Sequence, residues 1–295
     1  MLSYYKFCVV LSTYFLGDYM IRNKSFALIG YPLGHSLSPV IHSELFKISG
    51  LTASYKLLEI EPGKLENSVN ELKKLDGFNV TIPHKTSIIP YLDNLSKKAK
   101  LFGAVNTVEL KDSYAIGHNT DCIGFQRSLK GAKIALEGDV LICGCGGVSR
   151  MFAFESALAG CSINFAVREK SFPKCKELCD ELEQKIGVKS RIMPISEAKG
   201  NFDLIINGTP VGMYPNIGLS PLGEEIVKSS KAVFDSIYNP EETLLLKYAR
   251  ESGIKHQNGL SMLVWQAAAA QEIWNGVEFN EEEINGVIDK LKVKS

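Results

Sequence analysis

Lys85 stands in the stretch Asn79-Val80-Thr81-Ile82-Pro83-His84-Lys85, just past an expected strand end. Phe78, Val80 and Ile82 alternate with polar residues, the period of a half-buried strand, and Pro83 ends the ladder because it has no N–H to donate. A lysine delivered by a rigid strand can be aimed at a ligand and can give or take a proton. Taken alone, the same residues also suit a solvated lysine opening a helix. A second polar group lies at Ser36-Leu37-Ser38-Pro39, where Ser38 is expected to cap a helix that begins at Pro39 and stops at Gly50. Both serines would then sit beside unpaired helix-start amides, an arrangement that suits a carboxylate. The third is Gly144-Cys145-Gly146-Gly147-Val148. Directly behind the continuous apolar run Val140 to Cys143, it has the form of a turn that lets a pyrophosphate approach the backbone.

The next expected strand ends at Val167-Arg168-Glu169-Lys170. An arginine at that strand end suits a ribose 2′-phosphate and a carboxylate suits a free 2′-hydroxyl, so Arg168 with Lys170 favours NADP while Glu169 leaves NAD use open. Two further turns, Asn207 to Met213 and Asp235 to Pro240, follow strands and are expected to line the same crevice.

These groups need a scaffold of strands alternating with helices. Strands are expected at Ser25 to Gly30, Tyr55 to Ile60, Phe78 to Ile82, and on both sides of a Lys111-Asp112-Ser113 turn. Helices are expected from Pro62 to about Leu72 and around Asp93 to Phe102. From Asp139 a second array begins, with strands at Val140 to Cys143, Ser162 to Val167, Arg191 to Met193, Asp203 to Ile206 and Ala232 to Phe234. Helices at Met262 to Trp274 and Glu281 to Leu291 close the chain. The expected fold is α/β: an N-terminal mixed-sheet substrate domain and a C-terminal Rossmann-type dinucleotide-binding domain, separated by a cleft.

Composition narrows the partners. In 295 residues, Lys plus Arg and Asp plus Glu are both 33, so no concentrated basic surface is available for nucleic acid, and a small-molecule ligand fits better. Seven cysteines, without a C-x-x-C pair or zinc spacing, suggest free thiols in a reducing cytoplasm and no metal site. The apolar stretch Phe7 to Leu16 imitates a signal-peptide core, but Lys6 alone supplies positive charge, Asp18 intrudes, and the run is too short to span a bilayer. Residues 1–19 are therefore expected to be a non-native or disordered extension, with Met20 as the functional start.

The combination Ser36-Leu37-Ser38-Pro39, Asn79 to Lys85, Gly103-Ala104-Val105-Asn106-Thr107, Gly117-x-Asn119-Thr120-Asp121, Gly144-x-Gly146-Gly147 and Gly259-x-x-Met262-Leu263-x-x-Gln266 resembles the shikimate/quinate dehydrogenase family. The motifs run in that family's order from about Phe26 to Leu291. The resemblance implies NADP-linked, reversible reduction of 3-dehydroshikimate to shikimate in chorismate biosynthesis. It makes Ser36 and Ser38 ligands of the substrate carboxylate. Thr81, Asn106, Asp121 and Gln266 become ligands of the ring hydroxyls, Tyr238 a cover, and Lys85 with Asp121 the catalytic pair. Gly144, Cys145, Gly146, Gly147 and Val148 would hold the pyrophosphate, Arg168 the adenosine phosphate, and Met213, Ser236 and Gly259 the nicotinamide end. It also implies a substrate domain at 20–122, a nucleotide domain at 123–258, and helices at 259–295 that return to the first domain, in a monomer or homodimer. The chain departs from the family's usual Asn-Arg-Thr at Val167 and Glu169. Quinate dehydrogenase with NAD or dual cofactor use is the nearest alternative reading. A non-catalytic metabolite sensor on the same scaffold is the more distant one.

Overall fold

The computed structural model describes residues 23–34, 36–112 and 114–292. The expectations for residues 1–19 and Met20 fall outside them. In chain order the elements are β1 (Lys24–Gly30), α1 (Ser38–Ser49), β2 (Ala53–Glu59), α2 (Leu65–Leu72), β3 (Gly77–Val80), α3 (His84–Ser87), β4 (Asn94–Leu95), α4 (Lys97–Phe102), β5 (Thr107–Lys111), β6 (Tyr114–His118) and α5 (Asp121–Gly131). There follow β7 (Asp139–Cys143), α6 (Gly147–Leu158), β8 (Ser162–Val167), α7 (Phe172–Ile186), β9 (Ser190–Pro194), β10 (Leu204–Asn207), α8 (Glu224–Lys228), β11 (Ala232–Asp235), α9 (Leu244–Glu251), β12 (Lys255–Gln257), α10 (Gly259–Asn275) and α11 (Glu281–Lys292).

They form two six-stranded sheets. The first, ordered β2-β1-β3-β5-β6-β4, is mixed: β3 pairs parallel with β1 and antiparallel with β5. The second, β12-β11-β10-β7-β8-β9, is parallel throughout, and its strand order reverses between β7 and β10, where such sheets bind ligands. Its central strands are apolar along their length because helices cover both faces; Val140, Leu141, Ile142 and Cys143 are fully buried. Burial pushes the thiols of Cys122, Cys143 and Cys161 upward, so these side chains pack as small hydrophobes.

Helix α10 leaves the parallel sheet and packs on the mixed one. Trp274 stacks on Phe26 at 4.6 Å and donates its indole N–H to the Val108 carbonyl at 2.9 Å, while Gln271 meets the buried His42. Ile41 and Leu45 of α1 share a core with Val264, Ala268 and residues of α11.

Several local expectations give way. The third strand ends at Val80, because Thr81 N–H bonds Ile29 O and His84 N–H returns to Thr81 O, turning the chain. Ile82 is therefore not a buried strand residue; it is 69% exposed. Ser38 is the first helical residue of α1 rather than its cap, and it is the Ser36 hydroxyl that accepts the Ser38 N–H, at 3.3 Å. Helix α2 starts at Leu65, after a turn at Pro62. The expected helix from Asp93 resolves into β4 and the shorter α4, capped by Ser96 accepting from Ala99 N–H.

Candidate active site

Thr81, Lys85, Asn106 and Asp121 converge because the strands that carry them end together. The main-chain N–H of Val80 bonds Asn106 O at 2.8 Å, and Val105 N–H bonds Lys85 O at 2.8 Å, stitching the turn after β3 to the segment before β5. Asp121 opens α5, where its charge complements the unpaired amides of the first turn. Lys85 Nζ lies 2.5 Å from Asp121 Oδ2, with 31% and 17% of the two side chains exposed. Asn106 is buried yet lines the cavity above the pair. Its Nδ2 donates to Asp121 Oδ1 at 2.8 Å, Thr120 Oγ1 at 3.0 Å and Gln266 Oε1 at 3.3 Å, and its Oδ1 accepts Thr120 N–H at 2.6 Å. The carboxylate is thereby held on both oxygens, one by a cation and one by an amide, and the ammonium has a fixed direction.

Beneath them runs a buried polar layer. Tyr55 donates to Asn79 Oδ1 at 2.7 Å, Asn79 Nδ2 donates to Thr107 Oγ1 at 3.0 Å, and the His42 ring stacks on Tyr55 at 4.0 Å. Burial holds the His42 imidazole down at about 3, so it stays neutral.

A cavity of about 420 Å³ opens above the pair. Ser36, Ser38, Thr81, Lys85, Asn106, Asp121, Tyr238 and Gln266 all line it, together with Asn79, which the sequence reading left unassigned. It is a polar hollow lined by hydroxyls, side-chain amides and the Lys85–Asp121 pair, of a size for a small polar ligand.

A second cavity, of about 470 Å³, lies over the carboxyl ends of β7, β8 and β10. Gly144, Cys145, Gly146 and Arg168 line it, and so do Ser171, Lys174 and the turn from Gly208 to Val211. Gly144 has φ +91, and a Cβ there would meet Thr209 Cγ2 at 2.8 Å, so neither its conformation nor its space admits another residue readily. Gly147 and Val148 open α6 with amides unpaired inside the helix, and the Val148 side chain packs on the core. The pattern matches a dinucleotide: a small-residue turn for the pyrophosphate and two cations, Arg168 and Lys174, where the ribose phosphate would lie. Glu169 is not among the lining residues. Lys174 escaped the sequence reading because α7 was not anticipated, although Pro173 in its first turn and apolar residues at 175, 178, 179 and 182 signal it.

Met213, Ser236 and Gly259 line neither cavity among the described residues. Gly259 instead permits a backbone approach: a Cβ there would lie 2.1 Å from Ser236 O. The turn after β11 contributes Tyr238 to the first cavity rather than a wall to the second. The ends of β10 and β11, from which the turns bearing Gly208 to Val211 and Tyr238 depart, are tied together: Asn207 and Asp235 are paired in register and Asn207 Nδ2 donates to Asp235 Oδ1 at 3.0 Å. Among the described residues, no cluster of three or more His, Cys, Asp or Glu is placed to hold a metal ion, and no helix is long and apolar enough to cross a membrane.

Residues 28–108 match the shikimate dehydrogenase substrate binding domain, and residues 259–287 the shikimate 5′-dehydrogenase C-terminal domain. The chain is 42% identical over 284 residues to a shikimate dehydrogenase (NADP(+)) of Methanocaldococcus jannaschii, covering 92% of this chain and 98% of that one. A crystal structure of a shikimate dehydrogenase in complex with NADP+ superposes with TM-score 0.84 at 39% identity, covering 91% and 96% of the two chains. That of Listeria monocytogenes shikimate 5-dehydrogenase, in complex with shikimate and NAD, gives TM-score 0.83 at 33% identity over 91% and 96%. The chain belongs to the shikimate dehydrogenase family.

Proposed function

We propose that this protein reversibly reduces 3-dehydroshikimate to shikimate with NADP as the redox partner, a step of aromatic amino-acid biosynthesis. The observation that carries the reading is the Lys85–Asp121 pair at 2.5 Å, set in a cavity that also holds Ser36, Ser38, Thr81, Asn106, Tyr238 and Gln266. Ser36 and Ser38, at the start of α1, offer hydroxyls and helix-start amides to the substrate carboxylate. Thr81, Asn106, Asp121 and Gln266 are spaced around the cavity to bond the ring hydroxyls, and Tyr238 covers them.

When bound, NADP exchanges a hydride with the ring carbon that bears the reacting oxygen. Lys85 gives its proton to that oxygen during reduction and takes it back during oxidation. Asp121 keeps the lysine nitrogen at the reacting oxygen and accepts from the neighbouring hydroxyl. Asn106 stops Asp121 from turning away. The gain is chiefly one of alignment, because a fixed donor and a fixed substrate no longer have to find one another. Nothing in this description asks for a metal.

The second cavity supports NADP over NAD. Arg168 and Lys174 both line it, while Glu169, which would favour a free 2′-hydroxyl, does not. Met213, Ser236 and Gly259 remain the candidates for the nicotinamide end. The same reading assigns 20–122 to substrate, 123–258 to nucleotide and 259–295 to helices that close on the first unit, and it places the protein in the cytoplasm, where its free thiols stay reduced.

The test is an absorbance assay of nicotinamide reduction with shikimate and quinate, each against NADP+ and NAD+. The reading expects shikimate with NADP+ to be the fastest combination. Replacing Arg168 and Lys174 together by Ala should then cut NADP+ affinity by about ten-fold or more and leave NAD+ nearly unchanged. Quinate turnover above shikimate turnover would reject the substrate assignment.

A further inference from the structure

The chemistry proposed above needs Lys85 aligned when nucleotide is present, yet the nucleotide turn and Lys85 stand on different sheets. The Arg150 side chain crosses between them. Arg150 lies in the first turn of α6, its main-chain N–H bonded to Gly146 O of the glycine turn at 2.9 Å. Its Nε donates to Phe102 O, the last residue of α4 in the other half, at 2.5 Å. Gly103 then turns the chain, and three residues beyond Phe102 the Val105 N–H bonds Lys85 O at 2.8 Å. Asn106 follows, with its amide on Asp121. The path from glycine turn to catalytic pair therefore consists of one guanidinium and three residues of backbone.

The guanidinium is aimed, not merely present. Both of its terminal nitrogens fork onto Glu181 of α7, Nη2 to Oε1 at 2.5 Å, and its plane lies 4.9 Å from the Phe154 ring centroid. Lys185 joins Glu181 at 2.6 Å and donates to Leu101 O at 3.2 Å, so two of the α4 carbonyls that a helix end leaves unpaired are met by cations from the nucleotide half. The pairing with Arg150 in turn holds the Glu181 carboxyl at about 2, fixed in its charged form. A second ion pair between the halves, Lys98 with the buried Glu155, fastens the same helices; its ammonium lies 5.7 Å from the Phe102 ring centroid but donates to Glu155 and not to the Phe102 carbonyl.

We propose that Arg150 is a positioning residue that ties the nucleotide-binding turn to the Lys85 and Asp121 pair through the Phe102 carbonyl, with Glu181 orienting it. Nucleotide bound at the start of α6 steadies the first turn, Arg150 carries that placement to Phe102, and the backbone from 102 to 105 sets the height of Lys85. The inference rests on the reaction proposed above.

It is tested by steady-state kinetics with shikimate and NADP+, direct titration of NADP+, and thermal unfolding of wild type, Arg150→Met, Arg150→Lys, Glu181→Gln and Lys98→Met. Arg150→Met should lower kcat about ten-fold or more with NADP+ affinity held within about three-fold, since a small displacement of a reacting group is enough for such a loss. Arg150→Lys, which can still reach one carbonyl, should recover part of that kcat, and Glu181→Gln should give a smaller loss. Lys98→Met should lower the melting temperature with kcat unchanged. Wild-type kcat in Arg150→Met overturns the proposal, as does Arg150→Lys performing no better than Arg150→Met. If Arg150→Met does not fold, unchanged kcat in both Arg150→Lys and Glu181→Gln overturns it equally. A wild type that does not oxidise shikimate at all rejects the proposed reaction instead.

Discussion

Asp235 ends β11 with no exposed surface, at the base of the turn that carries Tyr238. Its Oδ1 accepts Asn207 Nδ2 and Ile237 N–H, each at 3.0 Å, and its Oδ2 accepts the Thr243 hydroxyl at 2.6 Å. These bonds favour the charged form, but burial outweighs them and pushes the carboxyl from 3.8 up to about 6. A raised carboxyl binds protons more tightly in the folded than in the unfolded chain. The stabilisation is complete below pH 3.8 and is lost as pH rises through about 6. The shift is worth on the order of 3 kcal/mol in full, of which about 2 kcal/mol should appear between about pH 7.5 and about pH 4.5. Asp235→Asn keeps the shape and cannot titrate, so it isolates this contribution. In equilibrium urea unfolding, the stability of wild type relative to Asp235→Asn should rise by that amount on acidification, at matched slope against urea. A difference that is flat with pH, or that moves toward the variant, refutes the argument that burial dominates at this site.

Other perturbations follow from the same geometry. His42 is neutral in the fold, its imidazole held from 6.5 down to about 3 by burial, so its contribution is present above pH 6.5 and lost on acidification. Replacing it by Gln should flatten an acid-side loss on the order of 5 kcal/mol in the same unfolding assay, and an unaltered acid limb would contradict this. Gly259→Ala places a Cβ 2.1 Å from Ser236 O, and because that neighbour is backbone it cannot swing aside. A stability loss of about 2 kcal/mol or more is expected from thermal unfolding, with a raised KM for NADP+ if Ser236 serves the nicotinamide end.

Much of this architecture is legible in the residues, for identifiable reasons. The run Val140 to Cys143 followed at once by glycines announces a doubly covered strand and its turn, since few other backbones need that order. α1 ends at Gly50 as expected, and the structure puts that glycine in the left-handed conformation. Ile82 misleads because alternation persists one step after the ladder has stopped, and only the tertiary bonds of Thr81 and His84 reveal where the chain turns. Lys85 and Asp121 are 36 residues apart, so no spacing rule brings them together; resemblance to a known family did. The forked bond from Arg150 to Glu181 and its reach to Phe102 O belong to the same class. They depend on how α4, α6 and α7 dock, which side-chain periodicity does not encode.

The central claim is that Lys85 moves the proton while the cavity around it binds the substrate. Lys85→Ala, assayed with saturating NADP+ and shikimate and titrated separately with shikimate, tests it most directly. A loss of about 10²-fold or more in kcat, with shikimate affinity within a few-fold of wild type, is the predicted result. Turnover retained within a few-fold of wild type would contradict the assignment.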